Sequence, residues 1–318
     1  MKFYRKALIL FLCAVAFLWA AVFTACTHEE EASSGSSAAA DGESAVPEGL
    51  EDLGIDPKSV GVTPNIIHDK KNDPGFQLEA PNEGDTIAVM HTSMGNITIR
   101  FFPEEAPKTV TNFINLVKTG AYNKTSFHKV VGDSLIQGGY CGDDENNPNG
   151  VSSFGAPFED EFGDSLLNLR GAVAMANSAK DSNGSQFLIN QTTPEAFKKS
   201  GGWRALQAAW VGITDKLRDY KDSDLLQAYV DENGDRFLNP AVVPGNVQQL
   251  YNEYGGNPLF DGIYNAADRG CTVFAQVIDG MDVVDKINAV KVDDNGTPLE
   301  SVAIESIEIS VYTAKKAA

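Results

Sequence analysis

The chain has 318 residues, 42% of them apolar, with 25 Lys+Arg against 44 Asp+Glu for a formal charge of −19. That apolar share fills a core and excludes wholesale disorder, and the acid excess excludes nucleic acid as the main partner, because phosphate binding needs clustered Lys and Arg. Four cysteines are too few for a disulfide scaffold.

Lys2, Arg5 and Lys6 precede an unbroken apolar run from Ala7 to Phe23. Such a run is short for a membrane span and typical of a signal peptide. It ends in Phe23-Thr24-Ala25-Cys26, which resembles a bacterial lipobox, with Phe23 departing from the usual aliphatic residue. The expectation is a signal peptide over 1–25 and lipidation of Cys26; an uncleaved anchor helix is the alternative. Either places the rest of the chain outside the cytoplasm, tethered to a membrane. Residues 26–85 read as a flexible acidic tether followed by an irregular segment, rich in Glu, Ser, Ala and Gly and then carrying Pro57, Pro64, Pro74 and Pro81. This segment is expected to drape over the domain. His68 reads as a loop residue.

Regular structure begins at Thr86. Ile87, Val89 and His91 alternate with Ala88 and Met90, Met94-Gly95-Asn96 turns the chain, and Ile97, Ile99 and Phe101 alternate again, which predicts a β-hairpin. A helix follows, with Thr109 as its cap, Val110, Phe113, Ile114 and Val117 on one face, and Gly120 at its end. Short strands are expected at Ser126–Val131, Leu135–Gly138, Ala172–Ala176 and Gln186–Ile189. A second helix is expected at Met281–Ala289, and a closing strand at Val302–Tyr312 after Asp294-Asn295-Gly296. Many short strands with two helices predict a mainly β fold, a closed barrel capped at its ends.

Residues 191–258 break this rhythm. Leu206, Trp210, Ile213, Leu217 and Tyr220 recur at helical spacing, as do Val247, Leu250, Tyr251 and Tyr254. The stretch reads as a helical insertion in a loop, with Trp203 and Trp210 in its own core. Asp231-Glu232-Asn233-Gly234-Asp235 lacks the spacing of a calcium loop and reads as a turn. No metal or cofactor is expected.

Four blocks then carry a family resemblance. The run Gly95-Asn96-Ile97 to Ala106-Pro107-Lys108-Thr109 with Asn112-Phe113 resembles the opening of cyclophilins. So do Phe127-His128-Lys129-Val130-Val131 leading to Ile136-Gln137-Gly138-Gly139, and Met175-Ala176-Asn177 leading to Asn183-Gly184-Ser185-Gln186-Phe187. The fourth is Thr272-Val273-Phe274-Ala275-Gln276-Val277 with Gly280-Met281-Asp282-Val283-Val284-Asp285. The resemblance implies an eight-stranded antiparallel barrel with two helices over 86–312, a tail at 313–318, and peptidyl-prolyl cis–trans isomerase activity on proline-containing segments of exported or envelope proteins.

Carried over residue by residue, the resemblance implies Lys129, Gln137 and Asn177 as catalytic, with Lys129 standing where the family has arginine. It implies Ser134, Leu135, Ala176, Gln186, Leu188, Leu259, Phe260 and Cys271 as substrate-binding. Ser134, Leu135 and Leu188 stand where Phe, Met and Phe are usual, Cys271 where His is usual, and Leu259 where Trp is sometimes found. Lysine keeps the charge but loses the planar fork of donors, so weak turnover is expected; a non-catalytic prolyl-peptide-binding or chaperone module is the alternative. Cys141 and Cys271 read as separate thiols or as a disulfide.

Overall fold

The computed structural model describes residues 66–67, 72–142, 148–219, 237–265 and 269–314. Cys26 with its signal and tether, His68 and the Asp231–Asp235 turn lie outside the described residues.

Among the described residues the first element is a two-residue strand, β1 (Ile66–Ile67). The hairpin follows as β2 (Thr86–Thr92) and β3 (Gly95–Phe101). Helix α1 (Pro107–Lys118) leads into β4 (Thr125–Val131) and β5 (Leu135–Gly138). Then come β6 (Phe162–Gly163), β7 (Ala172–Met175) and β8 (Phe187–Asn190). The insertion carries α2 (Pro194–Lys199), α3 (Gly202–Asp219) and α4 (Gly245–Tyr254). The chain closes with β9 (Val273–Asp279), α5 (Met281–Asn288) and β10 (Val302–Val311).

Eight strands form a closed barrel in the order β10-β2-β3-β9-β7-β8-β5-β4, and each pairing around it is antiparallel, from Val311 opposite Thr86 to Val302 opposite Phe127. The alternation seen in the sequence becomes an inside and an outside. Ala88, Met90, Ile97, Ile99, Ile136, Val173, Phe187, Ile189 and Phe274 point inward and are buried. Phe113 of α1 is the hub of this core, its ring 4.9 Å from Tyr122, 5.2 Å from Phe274 and 5.6 Å from Phe187. Val283, Val284 and Ile287 of α5 join the same cluster.

Two expectations need correction. Thr109 does not cap α1. The N-cap is Ala106, with Pro107 in the first turn, and the first-turn amides are met from far along the chain: Glu161 accepts hydrogen bonds from the Lys108 N–H (3.0 Å), the Thr109 N–H (2.9 Å) and the Thr109 hydroxyl (2.8 Å). A carboxylate there also complements the positive end of the helix dipole. The segment before Thr86, expected to be irregular, contains β1, which pairs in parallel with β6, and a short 3-10 turn at Phe76–Leu78.

The helical reading of the insertion holds for α2, α3 and α4. Phe197, Val247 and Tyr251 form a second cluster with Leu167, Leu169 and Tyr264, and Trp203 packs against it. Trp203 is 5.8 Å from both Phe197 and Tyr251 and donates its indole N–H to the Gln248 carbonyl. Trp203 is thus core, not a ligand shelf. Cys141 and Cys271 form no disulfide and sit in different apolar clusters.

Candidate active site on the outer face of the barrel

The register across five strands assembles the candidate site. Lys129 lies opposite Gln137, Gln137 opposite Leu188, Leu188 opposite Ala174, and Ala174 opposite Val273. Adjacent strands are about 4.8 Å apart, so Lys129 and Leu188 lie about 10 Å from one another across the sheet. The first step in this row depends on a bulge. Phe127 pairs with Gly138 and Lys129 with Gln137, leaving His128 as the extra residue. Without it, strict alternation would put Phe127 and Lys129 on one face; with it, Phe127 and Val130 both enter the core and Lys129 shares the outer face with Gln137.

On that face Leu135, Ala176, Leu188, Phe260 and Cys271 form one apolar layer with Phe102, Leu166, Ala172, Ala174 and Val273. Five of the expected substrate-binding residues therefore meet. The polar side of the layer is Lys129, Gln137 and Gln186. The Gln137 amide donates to the Gln186 carbonyl oxygen at 2.8 Å, and the Gln186 amide donates to the Pro148 carbonyl. Burial pushes the His128 imidazole below its ordinary range, and the Lys129 charge pushes the same way, against hydrogen bonds to Gln186 and Ser126. A neutral ring at this position leaves Lys129 as the cation of the Phe127–Val131 strand.

The loop joining β7 to β8 borders the layer and is pinned by α1 and by residues after it. Asn112 donates to the Gly184 carbonyl at 2.8 Å, the Tyr122 hydroxyl to the Ser185 carbonyl at 2.9 Å, and the Cys141 N–H to the Ser185 hydroxyl at 2.9 Å. Gly184 is required here because a Cβ would meet the carbonyl oxygens of Asn149 and Gly150. Cys141 itself is inert, its thiol pushed up to about 11 by burial.

Three expected residues stand differently. Ser134 is at the rim, where its carbonyl accepts the Gln191 and Thr192 amides at 2.7 and 3.1 Å, so the insertion begins by gripping this turn. Leu259 packs against the insertion's cluster instead of the site layer, because its neighbour Phe260 takes the inward place in the 3-10 turn Pro258–Phe260. The Asn177 side chain is taken up by structural partners, its amide donating to Asp160 (2.9 Å) and to the Gly270 carbonyl (3.0 Å), while its oxygen faces Arg269.

Those partners include residues the sequence reading missed. Asp160 is buried and accepts from Asn177, Asn183 (2.8 Å) and the Asp181 N–H (3.0 Å). Burial raises its carboxyl above the usual range, opposed by these bonds and the Arg269 charge. The acidic run Glu159-Asp160-Glu161 between two strand signals was the available cue: acids placed where a core is forming need partners.

Asp261, beside Phe260, is buried. Burial pushes its carboxyl up to about 6, against hydrogen bonds from the Tyr251 hydroxyl and from the Asn168 backbone and amide. The folded value lies above the unfolded 3.8, so between about pH 4 and 6 the native chain holds a proton that the unfolded chain has released. Stability from this group is therefore lost as pH rises through that window. Asp261→Asn removes the titration, and the variant-minus-wild-type difference in unfolding free energy should change by up to about 3 kcal/mol between pH 4 and 7. Urea melts across that range check this; a pH-independent difference would show that Asp261 does not titrate there.

The family model described as "Cyclophilin type peptidyl-prolyl cis-trans isomerase/CLD" matches residues 87–203 and 249–309. A protein of Staphylococcus saprophyticus named "Putative peptidyl-prolyl cis-trans isomerase" is 33% identical over 239 residues, covering 73% of this chain and 96% of its own length. A protein of the same name from Staphylococcus aureus strain COL is 34% identical over 227 residues, covering 71% and 93%. Among solved structures, a Cryptosporidium parvum cyclophilin type peptidyl-prolyl cis-trans isomerase aligns at 20% identity with a TM-score of 0.45, over 73% of this chain and 99% of that one. With the match spanning more than half the chain and the relatives above 30% identity, this chain belongs to the cyclophilin-type peptidyl-prolyl cis–trans isomerases.

Proposed function

We propose that this isomerase acts, at reduced turnover, on X–Pro bonds of exported or envelope proteins, held to a membrane on its extracytoplasmic side through lipidated Cys26. The basic, then apolar, N-terminus ending at Cys26 supports the location. The observation that carries the chemistry is the bulge that sets Lys129 opposite Gln137 beside the Leu135–Ala176–Leu188 layer.

Rotation about an X–Pro bond must break amide resonance, a barrier of about 18–20 kcal/mol. Nothing is hydrolysed, so no nucleophile is needed; the site has to bind the twisted amide better than either planar form. The apolar layer takes the proline ring. Gln137, steadied by Gln186, and the backbone of Ala176 and Asn177 hold the peptide, and the Lys129 ammonium donates toward the prolyl nitrogen as it becomes pyramidal. A point-like ammonium on a flexible stem delivers that bond less consistently than a guanidinium fork, which supports reduced turnover. The grip of Gln191 and Thr192 on Ser134 sets the insertion along the groove, where it restricts which clients enter.

The test is two-dimensional NMR exchange on a prolyl peptide with the full chain in detergent. Uncatalysed exchange takes tens to hundreds of seconds, and catalysed exchange should be measurably faster at micromolar protein. No acceleration at any protein concentration, with the peptide nevertheless bound, would replace the enzyme by a prolyl-binding module.

A further inference from the structure

The segment ahead of the family-matched residues inserts a wholly buried glutamine into the domain. Gln77 has no exposed surface. Its oxygen accepts the Leu167 N–H at 2.8 Å, and its amide donates to the Leu167 carbonyl at 2.9 Å and to the Gln276 side-chain oxygen at 3.0 Å. Burying an amide is costly unless it is bonded in this way, so the bonds specify where the segment lies.

The two flanking residues face different layers. Phe76 packs on the site layer, its ring 5.2 Å from Phe102, and Leu78 packs on the insertion's cluster. Just before them Gly75, at φ +86, donates to the Ser165 carbonyl at 3.0 Å. A Cβ on Gly75 would stand 2.8 Å from Leu250 of α4. With β1 on β6, the segment runs alongside residues 162–167 at three points.

The stretch it buttresses holds much of the site in place. Phe158 bridges Asn183, and Asp160 holds Asn177 and Asn183. The Glu161 N–H donates to the Thr272 hydroxyl at 2.8 Å. Asn168 donates to Asp261 and, at 3.3 Å, to the Cys271 carbonyl. Leu166 faces the site layer and Leu167 the insertion, so Leu167, which Gln77 holds by both its N–H and its carbonyl, stands at the seam between them.

We infer that Gln77 is a positioning residue for the proline-binding layer, acting through 165–168 on Phe260 and Cys271. This rests on reading the groove as the prolyl-peptide site. Lys129 and Gln137 are held by β4 and β5, and Gln186, just before β8, by Gln137 and Pro148, so loosening the layer weakens binding and spares the turnover step.

Gln77→Ala in the full chain should raise KM for a prolyl peptide by about tenfold, the scale of one unmet buried hydrogen bond, with kcat within twofold. Amide hydrogen exchange without peptide should quicken at Leu167, Asn168 and Cys271. A glutamine that only stabilised the fold would lower the melting temperature and leave KM unchanged. KM within twofold of wild type, with exchange altered at Leu167 alone, overturns the inference. Should Gln77→Ala fail to fold, Gln77→Met, which keeps the volume and removes the hydrogen bonds, is read the same way. A wild-type chain that neither binds nor turns over prolyl peptides would overturn the reading of the groove; exchange at Asn168 and Cys271 would then decide the positioning role alone.

Discussion

Lys129→Arg should raise kcat/KM on prolyl peptides by about ten- to a hundredfold. Removing one well-aimed donor from a polar site typically costs a factor of about 10²–10³; a lysine supplies that donor in part, so the gain from a guanidinium is smaller than the full cost. The charge is unchanged, and the bulge at His128 that sets the direction of residue 129 belongs to the backbone. The substitution therefore alters donor geometry alone. Lys129→Ala should lower the same ratio below wild type. Steady-state kinetics on one peptide series compares all three, and a rate for the arginine variant at or below wild type would mean that another donor serves the prolyl nitrogen.

Glu161→Ala should cost about 2–4 kcal/mol of unfolding free energy, the sum of a lost helix cap and buried donors left without an acceptor. Helix α1 has no capping side chain of its own and no acid in its first turn, so nothing local compensates. The effect reaches the site, because Asn112 of α1 holds Gly184. Glu161→Gln, retaining one acceptor oxygen, should lose less. Urea denaturation of the three proteins gives the ordering; a loss under about 1 kcal/mol for the alanine variant would mean that water replaces the carboxylate.

The hairpin, β4, β5, β7, β8 and both barrel helices were legible because each has a local cause: alternation on a two-faced strand, a 3.6-residue stripe, a glycine at a turn. For the candidate site, the motifs named Leu135, Ala176, Leu188, Phe260 and Cys271, and the fold packs these five in one layer. What escaped has partners far along the chain. Glu161 meets Thr109 across 52 residues, and Gln77 meets Gln276 across 199. No local periodicity encodes such pairs. The bulge at His128 escaped for another reason: it is defined by the partner strand, and the Phe127–Val131 run reads as a plain strand by itself. Leu259 was misplaced because a 3-10 turn decides which of two adjacent apolar residues faces the layer.

Barrel closure by β10 on β2 bears on how the chain is made. The Ala303 N–H meets the Ser93 hydroxyl across 210 residues, so nearly the whole domain has to emerge, on whichever side of the membrane it folds, before the two can meet. Until then β2 has one open edge, and the inward faces of Met90, Ile97 and Ile99 have no barrel to enter. The β3 edge waits almost as long, for β9. The earliest part of the barrel to be synthesised is thus among the last to be sealed, and nascent chains paused anywhere between the insertion and β10 should be the ones that holdase chaperones retain and proteases cut.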